Sequence, residues 1–397
     1  MNKLKFIIKI TIGLLLFSFS FIIFPLFKIR YGKLYSSRLG HTCFSIDNYL
    51  SNKKIMNNKN EIAIFCLEKK ISNSEIVKIW KEQKGIFFSK IADYVLNFIY
   101  FSKIKSKIII DWDEHNPIPT NLNLGEKNFK IDLNFLKKGE MLKNKLNIDS
   151  KKELICMVNR DELYLKNIIN EKYVADKNFH DFKDFKFEDY EYAIKNFVSQ
   201  DKIVLRIGNI VNDNYNFKNN NFVSLTNDNS TAFSDIYFLS QSKFCVHGRN
   251  GIQLVLAMFR KKSLCINFAP FIFDYLSQFV KGSMFISKKL FSKNKNRFLK
   301  FIEIENLFIE KNYDIHYQGD FFKDNNLEVV NNTPEEINKA ILEFDKNFDN
   351  EPYEMKKNSM QEKFWKNFEH YKSYDLIVNK LKIRVPNSFL EENKNLI

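Results

Sequence analysis

The sequence predicts an α/β protein of two lobes, with one apolar helix ahead of them and further helices behind. Three observations carry this. After residue 30, short apolar runs of strand length alternate with longer helical patterns. The chain has 397 residues, too many for one ordinary core and comfortable for two lobes plus attachments. Phe6 to Phe27 form the only long apolar segment.

Composition bounds the possible partners. A chain that is 45% hydrophobic and 27% charged folds, so global disorder is excluded. The formal net charge of +15 calls for an anionic partner or surface: nucleic acid, lipid headgroups or a nucleotide diphosphate. No zinc-finger spacing, single-strand-binding aromatic signature or helix-turn-helix pattern accompanies the charge, so no nucleic-acid partner is expected. The five cysteines (Cys43, Cys66, Cys156, Cys245 and Cys265) are odd in number and form no CxxC pair. All but Cys43 sit in apolar runs, where a free cysteine behaves as a small buried hydrophobe. That favours a reducing compartment.

The apolar segment has the length of a membrane helix. It is too long for a signal-peptide core, and no small-residue cleavage site follows it. Residues 1–30 are therefore expected to be a membrane anchor. Lys9 one turn inside and Pro25 at the far end leave both a spanning helix and one lying in the interface open. Lys3, Lys5 and Lys9 precede the segment's core, and Lys28, Arg30, Lys33 and Arg38 follow it, a slight excess behind.

Buried strands are expected at Ile62–Leu67 and Lys107–Ile110, then at Leu154–Val158, Ile203–Ile207, Phe222–Leu225, Phe244–His247 and Leu264–Asn267. Helices fall between them, at Glu188–Val198 and Gly251–Phe259 among others. The polar stretch Gly139 to Lys152 is the expected boundary between a first lobe, 31–150, and a second, 151–330. Thr333-Pro334-Glu335-Glu336 reads as a capped helix start, with Glu336 completing a capping box. A second helical segment follows at Met355 to Leu381. Residues 331–397 are thus expected to form helices crossing back over the first lobe.

Three segments can carry chemistry. The run Ile155 to Val158 is an apolar strand that ends abruptly in Asn159-Arg160-Asp161, with Tyr164 just beyond. Ligands of open α/β sheets bind outside the carboxyl ends of strands, and an arginine there can grip a diphosphate through its bidentate fork. An Arg160–Asp161 pair that merely caps the strand is the alternative. Leu205-Arg206-Ile207-Gly208 is a second strand with an arginine beside a glycine turn; an anion or a structural salt bridge would satisfy it. In the third, the acidic helix around Asp235 leads into Phe244–His247, and Gly248-Arg249-Asn250-Gly251 then turns into a new helix. Backbone amides at such a start suit phosphate. His247 is either a base or a structural histidine at a strand end. The remaining histidines show no metal-ligand spacing, and neither HExxH nor GxSxG occurs. Only Asp111-Trp112-Asp113-Glu114-His115 resembles an acidic metal motif, so no metal or other cofactor is expected.

Taken in order, these segments resemble a family of bacterial surface-polysaccharide glycosyltransferases, distantly similar to the protein O-fucosyltransferase and α-1,6-fucosyltransferase superfamily. The stretches that carry the likeness are Ser37-Arg38-Leu39-Gly40-His41, Asn159-Arg160-Asp161 with Tyr164, and Leu205-Arg206-Ile207-Gly208. They continue with Asp235 to Gly251, Ile266-Asn267-Phe268-Ala269-Pro270 and Pro386-Asn387-Ser388-Phe389-Leu390. The likeness covers almost everything after residue 30, and its order and spacing carry it.

The resemblance implies a GT-B-like fold, two Rossmann-like lobes facing a cleft, with no required metal and the donor nucleotide held mainly by the second lobe. It places Arg160 on the donor diphosphate. With Arg160, Asp161 and His247 are the expected catalytic residues. Asn159, Tyr164, Arg206, Gly208, Asp235, Gly248, Arg249, Asn250 and Gly251 are expected around the donor, and Arg38, Gly40 and His41 on the acceptor side. Arg249 and Asn250 depart from the family's small, hydroxyl-rich turn. The expected activity is transfer of a sugar from a nucleotide sugar, with GDP as the guessed nucleotide, to a surface glycan or lipid-linked acceptor. The body is expected on the cytoplasmic side of a bacterial inner membrane. A non-catalytic, membrane-tethered sugar- or nucleotide-binding component of a polysaccharide assembly complex is the competing reading.

Overall fold

The computed structural model describes residues 3–58, 60–104, 107–110, 125–161, 163, 181–213, 215–311, 318–350, 355–357 and 359–397. Two compact units divide the chain, Met1–Ile131 and Asp132–Ile397. Both are α/β, as expected.

In the first unit β1 (Lys28–Leu34), β2 (Glu61–Leu67) and β3 (Ile86–Phe88) form a parallel sheet in that order, and an isolated bridge from Tyr31 to Ile109 adds a further parallel partner to β1. The expected strand at Lys107–Ile110 is thus one bridge long. Helices Leu39–Ile55 and Ser74–Lys81 connect the strands. Asn73 caps the second of these by accepting the Glu75 and Ile76 amides at 3.0 and 3.2 Å. The helix Lys3–Ile23 is long and apolar enough to cross a membrane.

The second unit holds a six-stranded parallel sheet: β4 (Leu154–Val158), β5 (Ile203–Gly208), β6 (Phe222–Thr226), β7 (Phe244–His247), β8 (Ser263–Phe268) and β9 (Met284–Ser287). Their spatial order is β6-β5-β4-β7-β8-β9, the doubly wound order that reverses between β4 and β7. Strands this deep in the protein read as continuous apolar runs because helices cover both faces. Every residue of β4, β7 and β8 is buried. Thr333 caps helix Pro334–Lys346 as expected, accepting the Glu336 amide at 3.2 Å while Glu336 accepts the Thr333 amide at 2.9 Å.

Two expectations about organisation change. Gly139 to Lys152 lies inside the second unit, within and just after helix Leu133–Lys145. Gly139 is pressed so closely on Tyr237 that a Cβ would stand 1.7 Å from its ring, and the Tyr237 hydroxyl donates to Glu140 at 2.8 Å. The first half of that polar stretch is the end of an amphipathic helix docked on the sheet's own cover. The C-terminal helices are likewise packed into the second unit: Ile337, Ile341, Phe344, Trp365 and Leu390 join β7 and β8 in one core. Asn267 and Asn332 lock this arrangement by exchanging bonds, each backbone amide donating to the other's side-chain oxygen at 2.8 and 2.7 Å. The stretch Met355–Leu381 is not one helix: it contains Met360–Lys366 and a separate π-helical turn, Asp375–Lys380.

Candidate functional site

All six strands of the second sheet are parallel, so their carboxyl ends share one edge. At its centre Val158 of β4 pairs with His247 of β7, and the Gly248 amide donates to the Val158 carbonyl at 3.4 Å. Two motifs separated by nearly ninety residues of sequence, Asn159-Arg160-Asp161 and Gly248 to Gly251, therefore leave the sheet side by side where the strand order reverses.

Arg160 pairs with Asp184, a residue the sequence did not single out. Burial lowers the guanidinium's pKa, and the carboxylates of Asp184 and Asp181 oppose that shift. Burial pushes the Asp184 carboxyl up to about 6 against the pull of Arg160. Lys288, immediately after β9, comes to the same place: its ammonium donates to the Asp184 carbonyl at 2.8 Å, and burial lowers its pKa to about 7. An arginine and a lysine thus converge on Asp184 at this edge, Arg160 on its carboxylate and Lys288 on its carbonyl, which suits a bound anion. Asn159 is buried; its amide donates to the Phe185 carbonyl at 3.2 Å, and its side-chain oxygen has no partner among the described residues.

Asp161, expected among the catalytic residues, is engaged with the backbone. Its two oxygens accept the backbone amides of Leu163 at 2.7 Å and Asn212 at 2.9 Å, which holds two loops in place. His247 is also corrected. It is fully buried, its Nδ1 lies 2.7 Å from the Gly248 carbonyl and its Nε2 3.1 Å from the Ser263 hydroxyl. Burial lowers its pKa to about 4, so it stays neutral and locked rather than free to take a substrate proton.

Arg206 takes the structural alternative. Its side chain is 1% exposed, bonded to Asp213 at 2.6 Å and stacked 4.2 Å over the Phe187 ring. Gly208 follows it at the strand's end, where a Cβ would stand 2.9 Å from Val211. Asp235 lies in the first turn of helix Ala232–Gln241, half-buried, accepting the Ser230 hydroxyl at 3.0 Å; burial raises its carboxyl to about 7. Arg249 stacks 3.9 Å over Tyr275 and donates to the Ala269 carbonyl at 3.4 Å, which fixes the turn to the end of β8. Asn250 accepts the Ile252 amide at 3.0 Å, and Gly251 begins helix Ile252–Phe259. Tyr164 and Asp111 to His115 lie outside the described residues.

In the first unit Arg38, Gly40 and His41 gather where β1 gives way to helix Leu39–Ile55. Arg38 is exposed, Gly40 is buried, and the His41 ring meets Tyr35 edge-on at 6.0 Å. Ser37 ties this turn to the end of β2, its amide and hydroxyl both donating to Glu68, at 2.9 and 2.5 Å.

Sequence reading missed Asp184 and Lys288. Lys288 carried the same signal as Arg160, an apolar strand that stops at a charge. Asp184 lies in a mixed aromatic and charged stretch with no periodic signal.

No family model matches the chain, and no curated protein matches it. Solved structures do. Escherichia coli ADP-heptose lipopolysaccharide heptosyltransferase II matches at 10% identity and a TM-score of 0.42, over 65% of this chain and 90% of that one. A glycosyl transferase family 9 protein from Veillonella parvula matches at 9% and 0.38, over 62% and 82%. Escherichia coli heptosyltransferase WaaC, solved with ADP-2-deoxy-2-fluoro heptose, matches at 8% and 0.34, over 72% and 100%. None of these three is a fucosyltransferase. At such distances the likeness carries no argument about chemistry, which rests on the chain's own residues.

Proposed function

We propose that the chain is a glycosyltransferase whose nucleotide-sugar donor binds at the carboxyl edge of the six-stranded sheet. One observation carries the reading: the strand order reverses between β4 and β7, and the Arg160 and Gly248–Gly251 motifs flank that point. Arg160 and Lys288 take the donor diphosphate and stabilise the charge that grows on it as the sugar departs. Asp184 holds both cations in place. Asn159, whose buried oxygen has no partner among the described residues, and the Gly248–Gly251 turn complete the donor side.

The proposal takes a GDP-sugar as donor and a surface glycan or lipid-linked acceptor, with Arg38, Gly40 and His41 on the acceptor side. It places the body on the cytoplasmic side of the membrane and needs no metal ion. The sequence supports the last point, since only Asp111 to His115 offers clustered ligands. Activity that survives EDTA agrees with it; loss restored by Mg²⁺ would make Asp111 and Asp113 ligands.

The test is a panel of GDP-, ADP- and UDP-sugars, read first as a rise in melting temperature and then as turnover. Turnover that Arg160→Ala abolishes establishes the enzyme. Binding without turnover across the panel establishes the non-catalytic component instead.

A further inference from the structure

Helix Lys3–Ile23 is built into the first unit rather than tethered beside it. One stripe of it is packed: Ile10, Leu16, Phe17 and Ile23 join the core formed by β1 and helix Ile91–Ser102. Gly13 meets that helix so closely that a Cβ would lie 2.2 Å from the Tyr94 carbonyl. Phe6 contacts Phe101 at 5.6 Å and Phe17 contacts Phe98 at 5.4 Å. Lys9, the charge inside the apolar run, pairs with Asp93 at 3.4 Å. Near the far end, the Ser20 hydroxyl meets the Tyr31 hydroxyl of β1 at 2.7 Å, both residues buried.

The opposite stripe is exposed and apolar. Leu4, Ile8, Leu15 and Ile22 stand in solvent, Ile22 at 76%, and Tyr100 (88%) and Phe101 of the neighbouring helix extend the patch. Soluble monomers seldom expose so much continuous apolar surface. Its surroundings are basic. Within residues 1–30 and 86–110 there are nine lysines and arginines against one acid, Asp93, which Lys9 already engages. Lys3, Lys5, Lys90, Lys103 and Lys107 are exposed. An apolar face rimmed by exposed lysines complements an anionic bilayer, with lysines at the headgroups and apolar side chains below.

We propose that this two-helix face enters a single leaflet of an anionic phospholipid membrane, so that the chain is monotopic rather than bilayer-spanning. The reason lies in what the helix is attached to. Its packed stripe runs from Phe6 to Ser20 against the unit's own helix and strand β1. A spanning orientation would draw β1 and the open sheet β1-β2-β3 into hydrocarbon, where an open sheet edge cannot satisfy its amides and carbonyls.

Sidedness tests this directly in the full-length protein. All five native cysteines are buried, so single new thiols report their own positions. Lys3→Cys and Lys394→Cys, both at exposed sites, are treated with a membrane-impermeant maleimide in sealed vesicles from expressing cells. Labelling of both from the same side supports the single-leaflet arrangement. Labelling of one before and the other only after detergent overturns it. The second arm measures binding of purified protein to vesicles of three parts phosphatidylcholine to one part phosphatidylglycerol. Tyr100→Ser should weaken binding several-fold without lowering the melting temperature, because its ring is 88% exposed and leaves only the lipid contact. Unchanged binding removes the second helix from the proposed face.

Discussion

The ring of Phe185 lies against the backbone of Gly248 so tightly that a Cβ at 248 would stand 2.5 Å from its Cε1. This contact joins two segments of the sheet's carboxyl edge. Phe185 is itself tied to β4: its amide donates to the Arg160 carbonyl at 3.4 Å, and its carbonyl accepts from Asn159. Gly248→Ala should therefore displace Phe185 and, with it, the neighbouring Asp184 that holds Arg160. Donor turnover is expected to fall by an order of magnitude or more, since small misplacements at a reacting centre are costly. Adding Phe185→Leu should recover part of the loss by making room. A Gly248→Ala enzyme with unchanged kinetics would show that the contact does not position the site.

Arg160→Ala is expected to slow turnover on the order of 10²- to 10³-fold, the effect of losing roughly 2–4 kcal/mol of transition-state stabilisation. Arg160→Lys should recover only part, because an ammonium keeps the charge and loses the planar fork. Asp184→Asn serves as the control for positioning: it keeps the shape, and the backbone carbonyl that Lys288 meets, and removes the carboxylate that pairs with Arg160. Melting temperature and turnover are to be measured on the same preparations. Stable Arg160→Ala protein with normal turnover would make the Arg160–Asp184 pair purely structural.

Arg206 should behave in the opposite way. Asp213→Ala leaves a guanidinium that is 1% exposed without its carboxylate, a loss of about 3 kcal/mol in comparable buried pairs. Arg206→Met should be milder, since Asp213 is one-third exposed and water can hydrate it. Both should lower the melting temperature while leaving turnover per folded molecule nearly unchanged. A stable Arg206→Met protein with weakened donor binding would return Arg206 to the donor site.

His247 makes the fold acid-sensitive. Its pKa falls from 6.5 to about 4 on folding, so the unfolded chain holds the extra proton between those values. Stability therefore declines as pH drops from about 6.5 to 4, by about 3 kcal/mol from this residue. Asp235 works against it. Its pKa is raised from 3.8 to about 7, so the folded chain holds the proton in that window and gains stability as pH falls through it. Thermal melts of the wild type and His247→Gln across this range separate the two. The variant should lose the His247 part of the acid sensitivity; parallel curves would contradict the buried neutral histidine.

Much of this was written locally. Apolar runs bounded by turns marked β4 and β7 to the residue, and β2, β5, β6 and β8 to within one or two. Thr333 and Glu336 announced their helix, because a capping box depends on neighbours three residues apart. By contrast β1, with the basic pattern KIRYGKL, gave no strand signal and is held by pairing with β2.

The sequence by itself thus determined the α/β class, five of the six strands of the second sheet and their polar ends, since these follow from side-chain period and turn chemistry over a few residues. The tertiary structure alone decided which ends meet. It set β4 beside β7, brought Asp184 and Lys288 to Arg160, and buried His247 among its own hydrogen bonds. It also drew the C-terminal helices into the second unit's core. Those outcomes depend on contacts between residues distant in sequence, where burial and packing across the whole core outweigh anything a local pattern carries.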